Sequence, residues 1–177
     1  MRKVIGFLVL FFAHNFAHAD PAVDAFMNIY ATVCMRNIHN YAELEKKLEL
    51  IPKLPAEKAA PFLQGKEGSA WPVPDKRGLF VVAIPKSTNM CAVFARRLNA
   101  NDARKSFTDI VSVAPTPMTA LKKEEVNQAD EKNGDRQTLA YTWSIADHPR
   151  KIIFMLTTAT AETADLQGMA TVSFGTD

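Results

Sequence analysis

Apolar residues recur at steps of three and four from Val23 onward: Val23, Phe26, Met27, Tyr30, Val33, Cys34, Tyr41, Leu44, Leu48 and Ile51. That spacing lines one face of a helix. It predicts a single long amphipathic helix over residues 21–51. Pro21 suits a first helical position. Pro52 stops the run, because a residue before proline is pushed away from helical angles. Cys34 falls on the apolar stripe and so faces the core, whereas His39 lies on the more polar side. Glu43, Glu45, Lys46, Lys47 and Glu49 read as a solvated face.

The pattern then changes. Pro52, Pro55, Pro61 and Pro72 punctuate residues 52–72, with room for a short helix between Pro55 and Leu63. Gly65 and Gly68 open a turn before Trp71. Leu79–Ile84 and Met90–Arg96 are β-rich runs joined by a polar connection, and they predict a hairpin. Asn101 is a plausible cap for a second helix over residues 102–114, with Ala103, Phe107, Ile110 and Val111 on its apolar face. Pro115 and Pro117 end it. Residues 119–130 fit an edge strand or a loop, because Lys122-Lys123-Glu124-Glu125 is polar on both faces.

Asn133-Gly134 is a strong hairpin signal. Beyond it Gln137, Leu139, Tyr141, Trp143 and Ile145 alternate with smaller or polar residues, which predicts a half-buried strand. Lys151–Thr158 and Met169–Phe174 read as two more strands, with a turn at residues 146–150 and a loop or single helical turn at 159–168. Short turns between successive strands imply a largely antiparallel sheet. The expected fold class is α+β: one twisted sheet, with the long N-terminal helix and the second helix packed on one of its faces.

The N-terminus reads as an address. Arg2 and Lys3 precede an apolar run, Val4 to Ala13, and Ala17-His18-Ala19 supplies small residues before Asp20. This is the three-part layout of a secretory signal, and the run is too short to span a bilayer. The expected division is a signal peptide over residues 1–19, cleaved between Ala19 and Asp20, and a single domain over residues 20–177. Asp at position 20, where lipidation needs Cys, argues against a lipid anchor. The whole chain has 21 basic and 19 acidic side chains in 177 residues. Removing Arg2 and Lys3 leaves 19 of each. A nucleic-acid binder draws affinity from a basic surplus, so no nucleic-acid partner is expected. No membrane span is expected in the mature chain.

Export gives the cysteines a meaning. Cys34 and Cys91 are the only pair, and in an oxidising compartment they read as a disulfide joining the first helix to the hairpin. The competing reading is two buried free thiols. His14 and His18 leave with the signal, so His39 and His148 are too few for a zinc site once both cysteines are bonded. No metal and no cofactor are expected. Asp147-His148 with Ser144 or Ser173 invites a triad, but Asp147-His148-Pro149 is ordinary turn composition, and no Gly-x-Ser-x-Gly elbow is present. Gly65-Lys66-Glu67-Gly68-Ser69 lacks the spacing of a phosphate loop. No catalytic residue is assigned.

Two features remain as binding candidates. Arg96 and Arg97, followed by Arg104 and Lys105, form a basic cluster that Asp102 and Asp109 dilute. It is either a solvated surface or a docking site for an acidic partner. Trp71 and Trp143 read as core side chains, and Trp71, if exposed, would be a natural anchor for a partner.

The chain also resembles a small family of exported proteobacterial proteins of no established activity. The likeness rests on Cys34 in the first helix, Gly68-Ser69-Ala70-Trp71, Cys91-Ala92-Val93-Phe94-Ala95-Arg96, Thr157-Thr158-Ala159 and Met169-Ala170-Thr171-Val172-Ser173. The resemblance implies a periplasmic or exterior location and transfers no catalytic residue. The expected function is therefore that of an exported, non-enzymatic binding protein. Its partner would be an unknown protein, which it would meet as an inhibitor or immunity-like module. The alternative is a small-ligand or sensory domain with an enclosed apolar pocket. A small hydrolase using His148 ranks last.

Overall fold

A computed structural model describes residues 20–86, 88–129 and 134–176. The proposed signal segment, residues 1–19, and Asn133 of the hairpin signal lie outside the described residues. The helices are α1 (Pro21–Ile29), which continues as a π-helical turn over Tyr30–Met35, α2 (Tyr41–Leu48), α3 (Ala56–Leu63) and α4 (Ala100–Val111). The strands are β1 (Gly68–Val73), β2 (Phe80–Pro85), β3 (Met90–Ala95), β4 (Thr119–Gln128), β5 (Arg136–Ser144), β6 (Arg150–Ala159) and β7 (Gly168–Thr176). They form one seven-stranded sheet in the order β1-β2-β3-β7-β6-β5-β4, with every neighbouring pair antiparallel. The α+β class is as expected.

The single long helix is not. Its apolar stripe is real, but the helix breaks between Met35 and Tyr41. Two asparagines cause the break. The Asn37 side-chain amide donates to the carbonyls of Val33 (2.8 Å) and Thr32 (3.3 Å), which the end of the first helix would otherwise leave bare. Asn40 takes an extended conformation, and its side-chain oxygen accepts from Glu43 N (3.0 Å) as the cap of α2. Asparagine competes with helical bonding in this way and so punctuates helices. The stripe continues across the break because both segments pack on the same sheet: Tyr30 Oη donates to Thr171 O (2.8 Å) and Tyr41 Oη to Val172 O (3.1 Å).

The second helix begins earlier than Asn101. Its cap is Asn99, whose side-chain oxygen accepts from Asn101 N and Asp102 N, both at 3.0 Å. Strand β1 was also hidden in the sequence, since its six residues include a glycine and Pro72. The proline is tolerated because β1 is an edge strand. Gly68 is needed there by close approach: a Cβ at this position would lie 2.5 Å from Ile84 O.

The sheet is covered on both faces, unequally. On one face, Trp71, Val82, Val93, Ala170, Leu156 and Leu139 form a row across six strands under α1 and α4. On the other, α3 sets Ala59, Phe62 and Leu63 on Ala70, Ala83, Ala92 and Phe94 of β1–β3. Phe62 meets Phe94 edge-on at 5.1 Å between ring centres. Both main helices do share one face, and α3 adds a layer behind β1–β3.

Cys34 and Cys91 are disulfide-bonded, with 5.4 Å between their Cα atoms. Both are fully buried. The bridge ties the π-helical turn to β3. A structural disulfide fits an oxidising extracellular compartment, and no helix among the described residues is long and apolar enough to cross a membrane.

Candidate basic cleft

The chain leaves β3 at Ala95 and must turn into α4 within a few residues. Leu98 is buried and anchors that turn, while Arg96 and Arg97 before it are exposed. Gln167, itself buried, holds the turn in place. Its backbone N donates to Ala95 O (3.0 Å), its side-chain oxygen accepts from Leu98 N (3.1 Å), and its side-chain amide donates to Ala161 O (2.8 Å). Arg96 N donates to Leu79 O (3.1 Å), which aligns the β1–β2 connection alongside. The two arginines therefore project from a rigid turn rather than from a loose loop.

Arg77 joins them from the β1–β2 connection. Asp75 grips it with two side-chain bonds, Nε to Oδ1 at 2.9 Å and Nη2 to Oδ2 at 2.7 Å, and accepts its backbone N at 2.8 Å. These bonds hold the Asp75 carboxyl at a pKa of about 2. Arg77 is thus neutralised at any physiological pH. Arg96 and Arg97 have no side-chain hydrogen bond or ion pair to any described residue.

These residues line two adjoining clefts. One, of about 780 Å³, is bounded by Asp20, Arg77, Arg97, Asn99, Glu162 and Gln167 among others. The other, of about 400 Å³, is bounded by Arg77, Gly78, Leu79, Arg96 and Arg97. Leu79 is 67% exposed and supplies an apolar spot between the charges. Asp20 keeps its negative charge at the larger cleft, although both its oxygens accept backbone N–H groups, from Ala22 and Asn99. Glu162 also faces the larger cleft and has no bonded partner among the described residues.

The basic cluster read from the sequence therefore divides. Arg104 is consumed by Glu125 and Gln137, and Lys105 bonds Asp109 (2.8 Å) one helical turn away. Those two belong to a satisfied surface. Arg77, which sequence reasoning did not single out, belongs with Arg96 and Arg97 because β1–β2 and β3–α4 end on the same rim.

The remaining candidates fall elsewhere. Trp71 is fully buried on the helix-covered face of the edge strand β1, with Lys53 Nζ 5.5 Å from its ring centre. It cannot anchor a partner directly. Trp143 is half-buried and bonded through Nε1 to Val111 O (2.7 Å). Asp147 and His148 occupy the exposed β5–β6 turn, where Asp147 has a positive φ of 59° and His148 Nδ1 accepts from Arg150 N (3.2 Å). This nitrogen closes a turn. No cluster of three or more His, Cys, Asp or Glu side chains suited to a metal occurs among the described residues.

Comparison of the chain with family models, curated proteins and solved structures returned no match.

Proposed function

We propose that the protein is an exported, non-enzymatic binding module whose clefts at Arg77, Arg96 and Arg97 receive an acidic segment of a protein partner. One observation carries this reading: Arg96 and Arg97, adjacent on a turn that Gln167 makes rigid, have no side-chain partner among the described residues. Unpaired guanidinium groups on a fixed backbone are pre-organised for bidentate carboxylate contacts. Leu79 beside them offers the apolar contact that protein interfaces place among charges.

Export after cleavage between Ala19 and Asp20 is part of the proposal. It is supported by the sequence pattern, by the buried Cys34–Cys91 bridge, and by Asp20, which caps α1 with its own side chain. The likeness to exported proteobacterial proteins belongs to the same reading and favours the periplasm or the exterior. An inhibitor or immunity-like role suits a small stapled domain with a charged docking rim. The small-ligand reading needs an enclosed apolar pocket, and open clefts lined by arginine, asparagine and glutamate count against it.

The test is crosslinked capture on oxidised protein, residues 20–177, from periplasmic and secreted extracts. Arg96→Glu/Arg97→Glu is run beside it, with Lys46→Glu/Lys47→Glu on the exposed face of α2 as a control for bulk charge. One stoichiometric partner that survives the control and is lost with the arginine reversal is the expected result. A partner retained by the arginine variant would move the site elsewhere, and the absence of any partner would overturn the binding role.

A further inference from the structure

Strand β4 forms the edge of the sheet opposite β1, and its sequence is unusual for an edge. Its ten residues read Thr119-Ala-Leu-Lys-Lys-Glu-Glu-Val-Asn-Gln128. Its outer backbone N–H and C=O groups make no backbone hydrogen bond with any described residue. An open edge of this length is a template for another strand unless its side chains oppose pairing. Edge lysines commonly supply that opposition by repelling their own kind. Here the lysines occupy one half of the strand and the glutamates the other.

Antiparallel pairing of β4 with a second β4 about a two-fold axis between Lys123 and Glu124 makes the strand its own complement. Lys122 then meets Glu125 of the other copy, Leu121 meets Val126, Ala120 meets Asn127 and Thr119 meets Gln128, while Lys123, the extra residue of the bulge, and Glu124 flank the axis. Such a pairing requires facing residues to lie on the same side of the sheet. In a regular strand residues 122 and 125 would lie on opposite sides. The bulge at Lys123 corrects this. Lys122 pairs with Tyr141 and Glu125 with Leu139, both on the helix-covered face. Lys122 Nζ accordingly reaches Glu125 Oε2 of its own strand at 2.6 Å. On the other face, Leu121 pairs with Thr142 and Val126 with Thr138. The match also gives a use to Leu121, which is 53% exposed.

We infer that β4 is a homodimerisation edge, joining two copies of this chain through antiparallel β4–β4 pairing into one continuous sheet of fourteen strands, seven from each copy. The occupant is a second copy because the charge order of the strand complements itself, and oppositely charged residues facing across strands stabilise the pair while like charges oppose it. The arginine clefts lie beyond β5, β6 and β7, about 19 Å from β4 at the usual strand spacing, and the dimer leaves both open. This inference does not rest on the role proposed for the clefts.

The experiment measures mass by sedimentation equilibrium on the oxidised protein and two charge-swapped variants, Lys122→Glu/Lys123→Glu and Glu124→Lys/Glu125→Lys. Near-UV circular dichroism checks each fold. The wild type should sediment as a dimer at micromolar concentration and weaken as salt rises, because surface charges are screened. Each variant alone should dissociate at least about tenfold more readily, since every favourable pair becomes a repulsive one. An equimolar mixture of the two variants should restore the dimer. A wild type that stays monomeric to 200 µM (~200 µM being well above the expected range for a specific contact) would overturn the inference. So would variants that dimerise as well as the wild type, or folded variants whose mixture stays monomeric.

Discussion

Asp20 and Asn99 are joined by a hydrogen bond that links two helix starts: Asp20 Oδ2 accepts from Asn99 N at 2.8 Å, while Oδ1 accepts from Ala22 N at 2.9 Å. Asp20 thereby caps α1, and Asn99, the residue it holds, caps α4. Two elements 79 residues apart are brought into register by one carboxylate. The rim of the larger arginine cleft passes through this junction.

Asp20→Ala should therefore cost more than an isolated cap. Loss of the α1 cap removes about 1 kcal/mol, and the released Asn99 N–H adds a smaller cost because water can reach it. The expected fall in Tm is about 3–6 °C. Asp20→Asn, which keeps one oxygen acceptor, should recover roughly half. Thermal melts of the two variants check this, and an Asp20→Asn variant as stable as the wild type would mean that the Asn99 contact contributes nothing.

Gln167→Ala should loosen the arginine rim from behind. The substitution leaves the Leu98 N–H and the Ala161 carbonyl without their partner. An unsatisfied buried donor costs about 1–3 kcal/mol. Arg96 and Arg97 keep their charges, so a captured partner should be bound more weakly while its dependence on salt is unchanged. An unaltered affinity in a destabilised variant would show that the turn need not be rigid.

The Cys34–Cys91 bridge closes a loop with a sequence separation of 57 residues. In the chain-entropy account such a closure stabilises by roughly 4 kcal/mol. Urea unfolding of oxidised protein against Cys34→Ala/Cys91→Ala should show a fall in unfolding free energy of that order, read from the lowered midpoint. Alkylation without reductant should modify neither cysteine, and modification of either would disprove the bridge.

Stability should fall at high pH. Burial raises the phenol pKa of Tyr30 well above its ordinary value near 10 and raises that of Tyr41 too, the latter against a lowering contribution from the Cys91 backbone. Above pH 10 the unfolded chain gives up these protons and the folded chain keeps them. The unfolded state then binds fewer protons, so stability is fully present below pH 10 and declines as pH rises beyond it. Tyr30 alone contributes a slope of about 1.4 kcal/mol per pH unit. Urea titrations between pH 8 and 11.5 on wild type and Tyr30→Phe check this, and the variant should lose the steeper part of the decline.

What could be read along the chain was what neighbours within a few residues decide. The spacing of Val23, Phe26, Tyr30 and Cys34 specified a helix face, and the alternation around Tyr141 and Trp143 specified a strand, because side-chain direction repeats with backbone geometry. Two cysteines allow only one intramolecular pairing, and Lys105–Asp109 is a contact of adjacent helical turns. Asn37 and Asn40 were equally local signals that the continuous apolar stripe concealed, since packing on one sheet kept that stripe in phase across the break.

The rest was settled by contacts between segments distant in sequence. Strand order placed β7 between β3 and β6, buried Trp71 under the helices, and set α3 on the opposite face. Arg104 found Glu125 across 21 residues, whereas Arg96 and Arg97 found no partner among the described residues and Arg77 arrived beside them from another connection. The bulge at Lys123 is likewise a property of the β4–β5 register, and it alone puts Lys122 and Glu125 on one face. Charge availability and facing direction depend on which surfaces meet. The chain specifies those meetings only through the packing of the whole sheet.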